Sequence, residues 1–166
     1  LKNSLVETIK TTSMVFLIVA SSFVFGYFLG ITRIPVTISE FLTNLPVPAH
    51  VILIGIVVMY LILGMFVDML AAMFLTLPII LPAVEALGFD MIWFGVLIVF
   101  LAEVALVTPP FGISLFIIKG TVPNSNLKDI IYGSLPFILA DLVIAGLLIL
   151  FPQIVTFLPD LMQGSG

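Results

Sequence analysis

The run Thr108-Pro109-Pro110-Phe111-Gly112 interrupts an otherwise apolar stretch covering residues 104–118. A proline has no N–H, and its ring crowds the carbonyls upstream, so a helix entering this motif must open. Gly112 lets the backbone turn and approach other groups closely. The opening bares carbonyl oxygens beside the Thr108 hydroxyl. Oxygen donors of this kind suit a hard cation such as Na+, and unwound helix segments are where transporters hold coupling ions. Thr108, Pro109 and Gly112 are therefore read as a candidate cation site. The plainer alternative is a packing kink held by neighbouring helices, but two prolines and a glycine exceed what a kink needs.

Acidic residues extend the same chemistry. Asp68 lies deep in the apolar run "YLILGMFVDMLAAMF", with Gly64 four positions before it. A charged acid at mid-membrane costs roughly 2.5–3.5 kcal/mol on insertion scales, so a cation, a proton or a polar partner has to offset it. Asp68 is read as a cation ligand or as a residue that organises one, and the sharpest form of the hypothesis is Na+ held at Asp68 and Thr108. Its alternative is a hydrogen-bonded structural acid. Glu103 precedes Thr108 by somewhat over one helical turn, and the two are expected to face roughly the same side. It is a candidate to ligate the cation, relay protons or cap the freed backbone. Asp141 in "ILADLVIAG" reads as structural. Ser21 and Ser22 are candidate substrate-binding residues: at the tip of a hairpin they would offer hydroxyl and N–H donors to an anionic solute. Mid-helix, they would instead pack or bond back to their own carbonyls.

The elements that must position these residues are membrane elements. The chain is 62% hydrophobic and only 8% charged, against about 25% charged in soluble domains. Lipid must be its solvent. Residues 1–12 show helical spacing with one apolar face, as in an interfacial helix. Residues 13–31 carry no charge and approach the ~20 residues that cross a bilayer; they read as a transmembrane helix or a re-entrant hairpin. A polar connection follows, with a short surface helix expected in "VTISEFLTNL". Residues 51–84 would make a rod of roughly 50 Å, too long for one crossing and too short for two. Residues 91–118 pose the same problem. The 51–118 region thus reads as broken transmembrane segments, with Pro78 and Pro82 bending the first and Pro109 and Pro110 the second. Residues 130–158 read as a last transmembrane helix. Trp93 and Tyr132 read as interface anchors. Lys2, Lys10, Lys119 and Lys128 favour the cytoplasmic side for their ends of the helices. The chain begins at Leu1 and reads as part of a longer membrane protein, and "LPDLMQGSG" reads as a C-terminus or close to one.

Composition also removes several functions. There is no basic run to meet nucleic acid, no cysteine, and a single histidine, His50. Disulfides, thiolate metal sites, cysteine nucleophiles and multi-histidine metal centres are excluded. No catalytic residue is assigned, because no serine, metalloprotease or paired-aspartate motif of intramembrane enzymes is present. The acids are dispersed, as they would be along an ion path. No cofactor is expected beyond Na+ as coupling ion.

The motifs "LGMFVD" (63–68), "LPIILP" (77–82), "GFD" (88–90), "AE" (102–103) and "TPPFG" (108–112) together resemble the C-terminal part of the large, DctM-like membrane subunit of tripartite ATP-independent periplasmic (TRAP) transporters. The likeness runs over nearly the whole chain. It implies an all-α polytopic membrane protein of the ion-transporter-superfamily type, with inverted repeats that each hold a helical hairpin and broken transmembrane helices. Residues 1–166 would be the C-terminal half, the second repeat. The resemblance further implies a secondary active symporter importing organic acids, C4-dicarboxylates or sugar acids, on a Na+ gradient across the bacterial inner membrane. The implied partners are a small Q-type membrane subunit and a periplasmic substrate-binding protein. By position, Asp68, Thr108, Pro109 and Gly112 would belong to a Na+ region, and Ser21 and Ser22 would lie near the second hairpin tip. Competing readings are a carboxylate carrier of the same superfamily without a binding protein, and a non-transporting membrane assembly subunit.

Overall fold

The structure, a computed structural model, describes residues 2–110, 112–122 and 125–163. Among them all regular structure is α-helical: α1 (Lys2–Thr32), α2 (Ile34–Thr43), α3 (Ala49–Phe66), α4 (Met69–Ala86), α5 (Met91–Val107), α6 (Ile113–Thr121), α7 (Leu127–Leu150) and α8 (Gln153–Gln163). Helices α1, α3, α4 and α7 are long and apolar enough to cross a membrane. The chain is a multi-pass, all-α membrane protein. It divides into two compact units, residues 1–46 with 70–87, and residues 47–69 with 88–166.

In the first unit, α1 is a single rod. The interfacial helix expected over 1–12 and the crossing or hairpin expected over 13–31 are one continuous helix. No proline falls within it, and isolated glycines such as Gly26 and Gly30 weaken a helix without ending it. Its length of about 45 Å exceeds the ~30 Å hydrocarbon core by roughly the charged first turns. The turn comes later, at Arg33, whose φ of 55° and ψ of 16° are left-handed. Pro35 then sits in the first turn of α2, where a missing N–H costs nothing. Helix α2 contacts α1 and takes the place of the expected surface helix.

The break in the first long apolar run falls at Val67–Asp68, and the chain stays helical through Pro78 and Pro82. Val67 is extended (φ −124°, ψ 152°), and its N–H makes the last bond of α3, 2.8 Å to the Leu63 carbonyl. Asp68 stands directly before α4, the N-cap position that aspartate favours. The two prolines are four residues apart, so the carbonyls they leave unpaired fall on one side of α4 and the remaining sides keep their ladder.

The second unit is organised around α5, which contacts α3, α6, α7 and α8. Trp93, Phe94, Leu97, Ile98, Leu101, Val104 and Ala105 are all buried. Asp90 caps its start, one carboxylate oxygen accepting from the Trp93 N–H at 2.7 Å. The His50 ring meets Phe89 edge-on at 5.7 Å near the starts of α3 and α5. Gly64 meets Ala105 near their ends. The two helices therefore run side by side in the same direction. Helix α7 runs the opposite way, because the Trp93 indole N–H, at the start of α5, donates to the Leu148 carbonyl at 2.7 Å, near the end of α7.

That last bond has a chemical reason. In a regular helix the Leu148 carbonyl would accept from the N–H of residue 152, which is Pro152 and has none. The Trp93 indole supplies the missing donor from a neighbouring helix. Trp93 is 1% exposed, so it is a core residue and not the interface anchor its position near a segment end suggests; Tyr132 is exposed. Pro152 also ends the last crossing early. The helix expected over 130–158 is α7, which closes at Leu150, followed by a separate helix α8.

Replacing Trp93 by Phe keeps an aromatic ring and strands the Leu148 carbonyl, so the expected loss is about 1–3 kcal/mol, read as a lower unfolding midpoint of the intact protein in detergent. An unchanged midpoint would mean the indole bond carries no weight. At Gly64 a side chain would strike the Ala105 methyl and come within 2.9 Å of the Met69 sulfur. Gly64→Val should therefore destabilise by roughly 1–3 kcal/mol. Gly55→Ala on the same helix has open space around it and should be neutral or slightly stabilising; equal losses at both sites would refute the close crossing.

Candidate functional site

The Gly64–Ala105 crossing fixes where the two breaks lie. Gly64 is four residues before Asp68, and Ala105 is three before Thr108, so each break follows the crossing within about one turn of helix. Small residues at the contact let the backbones approach. Because α3 and α5 are parallel, their C-terminal ends open in the same neighbourhood.

At the end of α5 the proline chemistry can be followed atom by atom. Pro109 cannot serve the Ala105 carbonyl. The Thr108 N–H turns to that carbonyl instead, at 3.2 Å. This leaves the Val104 carbonyl without its usual partner, and the Thr108 hydroxyl donates to it at 2.6 Å. Thr108 thus satisfies two carbonyls at once. The hydroxyl's proton is used and its lone pairs remain. Pro110 likewise cannot serve the Leu106 carbonyl. The chain then folds back so tightly that a Cβ on Gly112 would lie 2.9 Å from the Leu106 oxygen and 3.0 Å from the Thr108 oxygen. Only glycine allows those two oxygens and residue 112 to share the space. The Pro109–Pro110 bond is cis, and Phe111 lies outside the described residues.

The backbone dipoles at this place are mixed. Helix C-termini carry about half a negative charge each, but the N-termini of α4 (Met69) and α6 (Ile113) follow the two breaks and carry about half a positive charge each. The side-chain charge therefore decides the sign, and Asp68 supplies a formal negative one. Residues 51–118 contain no lysine, arginine or histidine to oppose it. Asp68 is exposed, directly before α4, one turn past the Gly64–Ala105 crossing. Carbonyls and the Thr108 hydroxyl with its lone pairs are donors of the kind that hold a hard monovalent cation. No group of three His, Cys, Asp or Glu side chains gathers anywhere among the described residues, so the donors on offer are mainly backbone oxygens.

The other candidates fall elsewhere. Glu103 is exposed, on a face of α5 shared with Gly95, Val96, Val99 and Phe100. The buried face of α5 carries Leu97, Leu101, Val104 and Ala105 instead. Five residues along a helix turn a side chain by about 140°, so the expected common side with Thr108 does not arise. Asp141 is half-buried on α7, in register with buried Ile138 and Ala145. Ser21 and Ser22 lie in the middle of α1, not at a hairpin tip, so their N–H groups are spent inside the helix. The Ser22 hydroxyl donates to the Ile18 carbonyl at 2.8 Å. It borders an almost wholly apolar groove of about 400 Å³ with Val19, Phe23, Gly26, Tyr27, Phe74 and Pro78, a poor lining for an anion. Sequence reasoning passed over Ala105 and the Leu106 carbonyl. The signal for the first was a small residue within an apolar helix, and for the second a proline four residues later.

Comparison with known proteins gives the family. The model of the DctM component of tripartite ATP-independent periplasmic transporters matches residues 1–154. The chain is 32% identical over 160 residues to the sialic acid TRAP transporter permease protein SiaT of Haemophilus influenzae, covering 96% of this chain and 26% of the relative. It is 34% identical over 157 residues to the 2,3-diketo-L-gulonate TRAP transporter large permease protein YiaN of Escherichia coli, covering 95% and 35%. It is 36% identical over 150 residues to the ectoine TRAP transporter large permease protein TeaC of Halomonas elongata, covering 90% and 35%. The chain spans about a third or less of the length of these relatives. With its broken, membrane-length helices and the match over nearly its whole length, the chain belongs to the DctM family of TRAP transporter large permeases.

Proposed function

We propose that the chain is the C-terminal part of the large permease subunit of a secondary active TRAP transporter, which imports an organic acid on a Na+ gradient across the bacterial inner membrane. The solute is of the C4-dicarboxylate or sugar-acid type. A periplasmic binding protein delivers it, and a small membrane subunit completes the permease. The observation that carries the reading is the Thr108 arrangement: a hydroxyl bonded to Val104 with its lone pairs free, at a helix end that opens beside the end of α3.

Coupling follows from the same oxygens. A cation seated at the breaks neutralises the Asp68 charge that would otherwise repel an anionic solute. Solute binding and ion binding are then linked, each strengthening the other by the same factor. Asp68 supplies the formal charge that draws the ion, and Thr108 and the carbonyls of the last turn of α5 supply its shell. Glu103, on the outer face of α5, is left out of that shell in this proposal.

The test uses the intact permease with its small subunit, reconstituted in vesicles and supplied with loaded binding protein. Thr108→Ala removes one oxygen and releases the Val104 carbonyl, so the Na+ concentration for half-maximal uptake should rise about tenfold, the equivalent of roughly 1.4 kcal/mol. Asp68→Asn should weaken Na+ dependence at least as much, while Glu103→Gln should leave it near the wild-type value. Uptake by both Asp68→Asn and Thr108→Ala with unaltered Na+ dependence would remove the cation reading, and uptake without the binding protein would remove the tripartite one. Gly112→Ala should abolish transport while the protein still assembles, because its methyl group would occupy the space between the Leu106 and Thr108 oxygens. Near-normal uptake by that variant would show that the oxygen cluster is not required.

A further inference from the structure

Helix α8 carries a surface that the transport reading does not use. Ile154, Phe157, Leu158, Leu161 and Met162 are each more than half exposed. At 100° per residue they form one continuous arc. Gln153 and Asp160 lie on a separate, polar arc. Val155, Pro159 and Thr156, which together form one flank, are half-buried, and α8 contacts α5, while Gln153 and Asp160 are exposed. One flank is thus seated on the protein, and the apolar arc is turned away from the polar one.

The position of α8 in the chain says what meets that arc. It follows α7, which is long and apolar enough to cross a membrane and whose surface carries exposed Phe137, Leu139, Val143, Leu147 and Leu150. The backbone leaves helical geometry at Phe151 (φ −127°, ψ 70°), and Pro152 prevents the two helices from merging. The elbow comes where the crossing ends. The exposed apolar residues of α7 are thus followed, across the exposed Phe151, by those of α8. Eleven residues are too few to span a bilayer, and an exposed aspartate and glutamine on one side suit water. Lysine and arginine are absent from "QIVTFLPDLMQ", so charge attraction to anionic headgroups contributes nothing.

We propose that α8 lies along the membrane surface, with Ile154, Phe157, Leu158 and Leu161 sunk into the boundary between headgroups and acyl chains and Asp160 in water. It acts as a float that fixes the depth of the α7 C-terminus and, through the contact with α5, of the helix that carries the Thr108 break. Binding is driven by apolar burial and is indifferent to lipid charge.

The chain has no cysteine, which makes single-cysteine spin labelling direct. In the full permease, with any cysteine outside this chain replaced, labels are placed one at a time through Ile154→Cys, Phe157→Cys, Leu158→Cys and Leu161→Cys, and through Gln153→Cys and Asp160→Cys. Collision with oxygen, which concentrates in lipid, is compared with collision with a water-soluble nickel chelate. In phosphatidylcholine vesicles the oxygen-to-nickel ratio should be several-fold higher in the first set, with a helical period, and adding phosphatidylglycerol should not change it. Uniform access to nickel would put α8 in water. Exclusion of both quenchers from the first set would mean protein covers the arc. A pattern that forms only with anionic lipid would make charge the driver. Each of these three results overturns the proposal, and none bears on the cation site.

Discussion

A carbonyl oxygen in hydrocarbon has no water to turn to. Each one left unpaired costs several kcal/mol, and this constraint explains more of the structure than any single contact. Proline is the agent that creates the need. Pro152 removes the donor for Leu148, and the Trp93 indole crosses from α5 to replace it. Pro109 removes the donor for Ala105, and Thr108 answers with its N–H there and its hydroxyl on Val104. Smaller instances recur wherever hydroxyls bond back one turn, as Thr76 does to Ala72 at 2.7 Å and Thr32 to Phe28 at 3.0 Å. At Leu148, Ala105 and Val104 a nearby donor takes up the backbone.

The two proline sites resolve the need in different ways. At Leu148 the donor is a rigid, buried ring on a neighbouring helix. It locks α5 to α7 and leaves no oxygen to spare. At Thr108 the donor is local, and the adjoining Leu106 and Thr108 oxygens crowd against Gly112. One break is closed and structural. The other presents oxygens in a small space at the negative end of a helix. That difference, more than the presence of proline, separates a joint from a candidate binding site.

Close packing sets where the second break lies. Gly64 and Ala105 are small enough for α3 and α5 to touch, which brings the Val67–Asp68 and Thr108–Gly112 interruptions to one end of the pair. The proposed cation site rests on that convergence, with Asp68 as the formal charge and no basic side chain along 51–118 to oppose it.

The sequence by itself determined what depends on local chemistry and on bulk composition. A membrane solvent followed from the scarcity of charge, helical crossings from apolar runs of about bilayer length, and an opening at Thr108–Gly112 from prolines that lack donors. Family membership was legible in motifs of fixed spacing. Tertiary structure decided whatever depends on a partner far along the chain. Trp93 reads as a belt residue until Leu148, on another helix, claims its N–H. The break near Asp68 was hidden because Pro78 and Pro82 were louder signals, yet a helix tolerates prolines whose gaps share one side, and it stops where an aspartate can cap the next helix. Pro152 was visible, but the apolar residues after it read as more membrane until α8 showed them as one arc of a separate helix. Ser21 and Ser22 depended on whether α1 turned within 13–31, and an uninterrupted backbone ladder carried it on to Arg33. In each case the local signal was real, and what it competed with lay beyond the reach of local spacing.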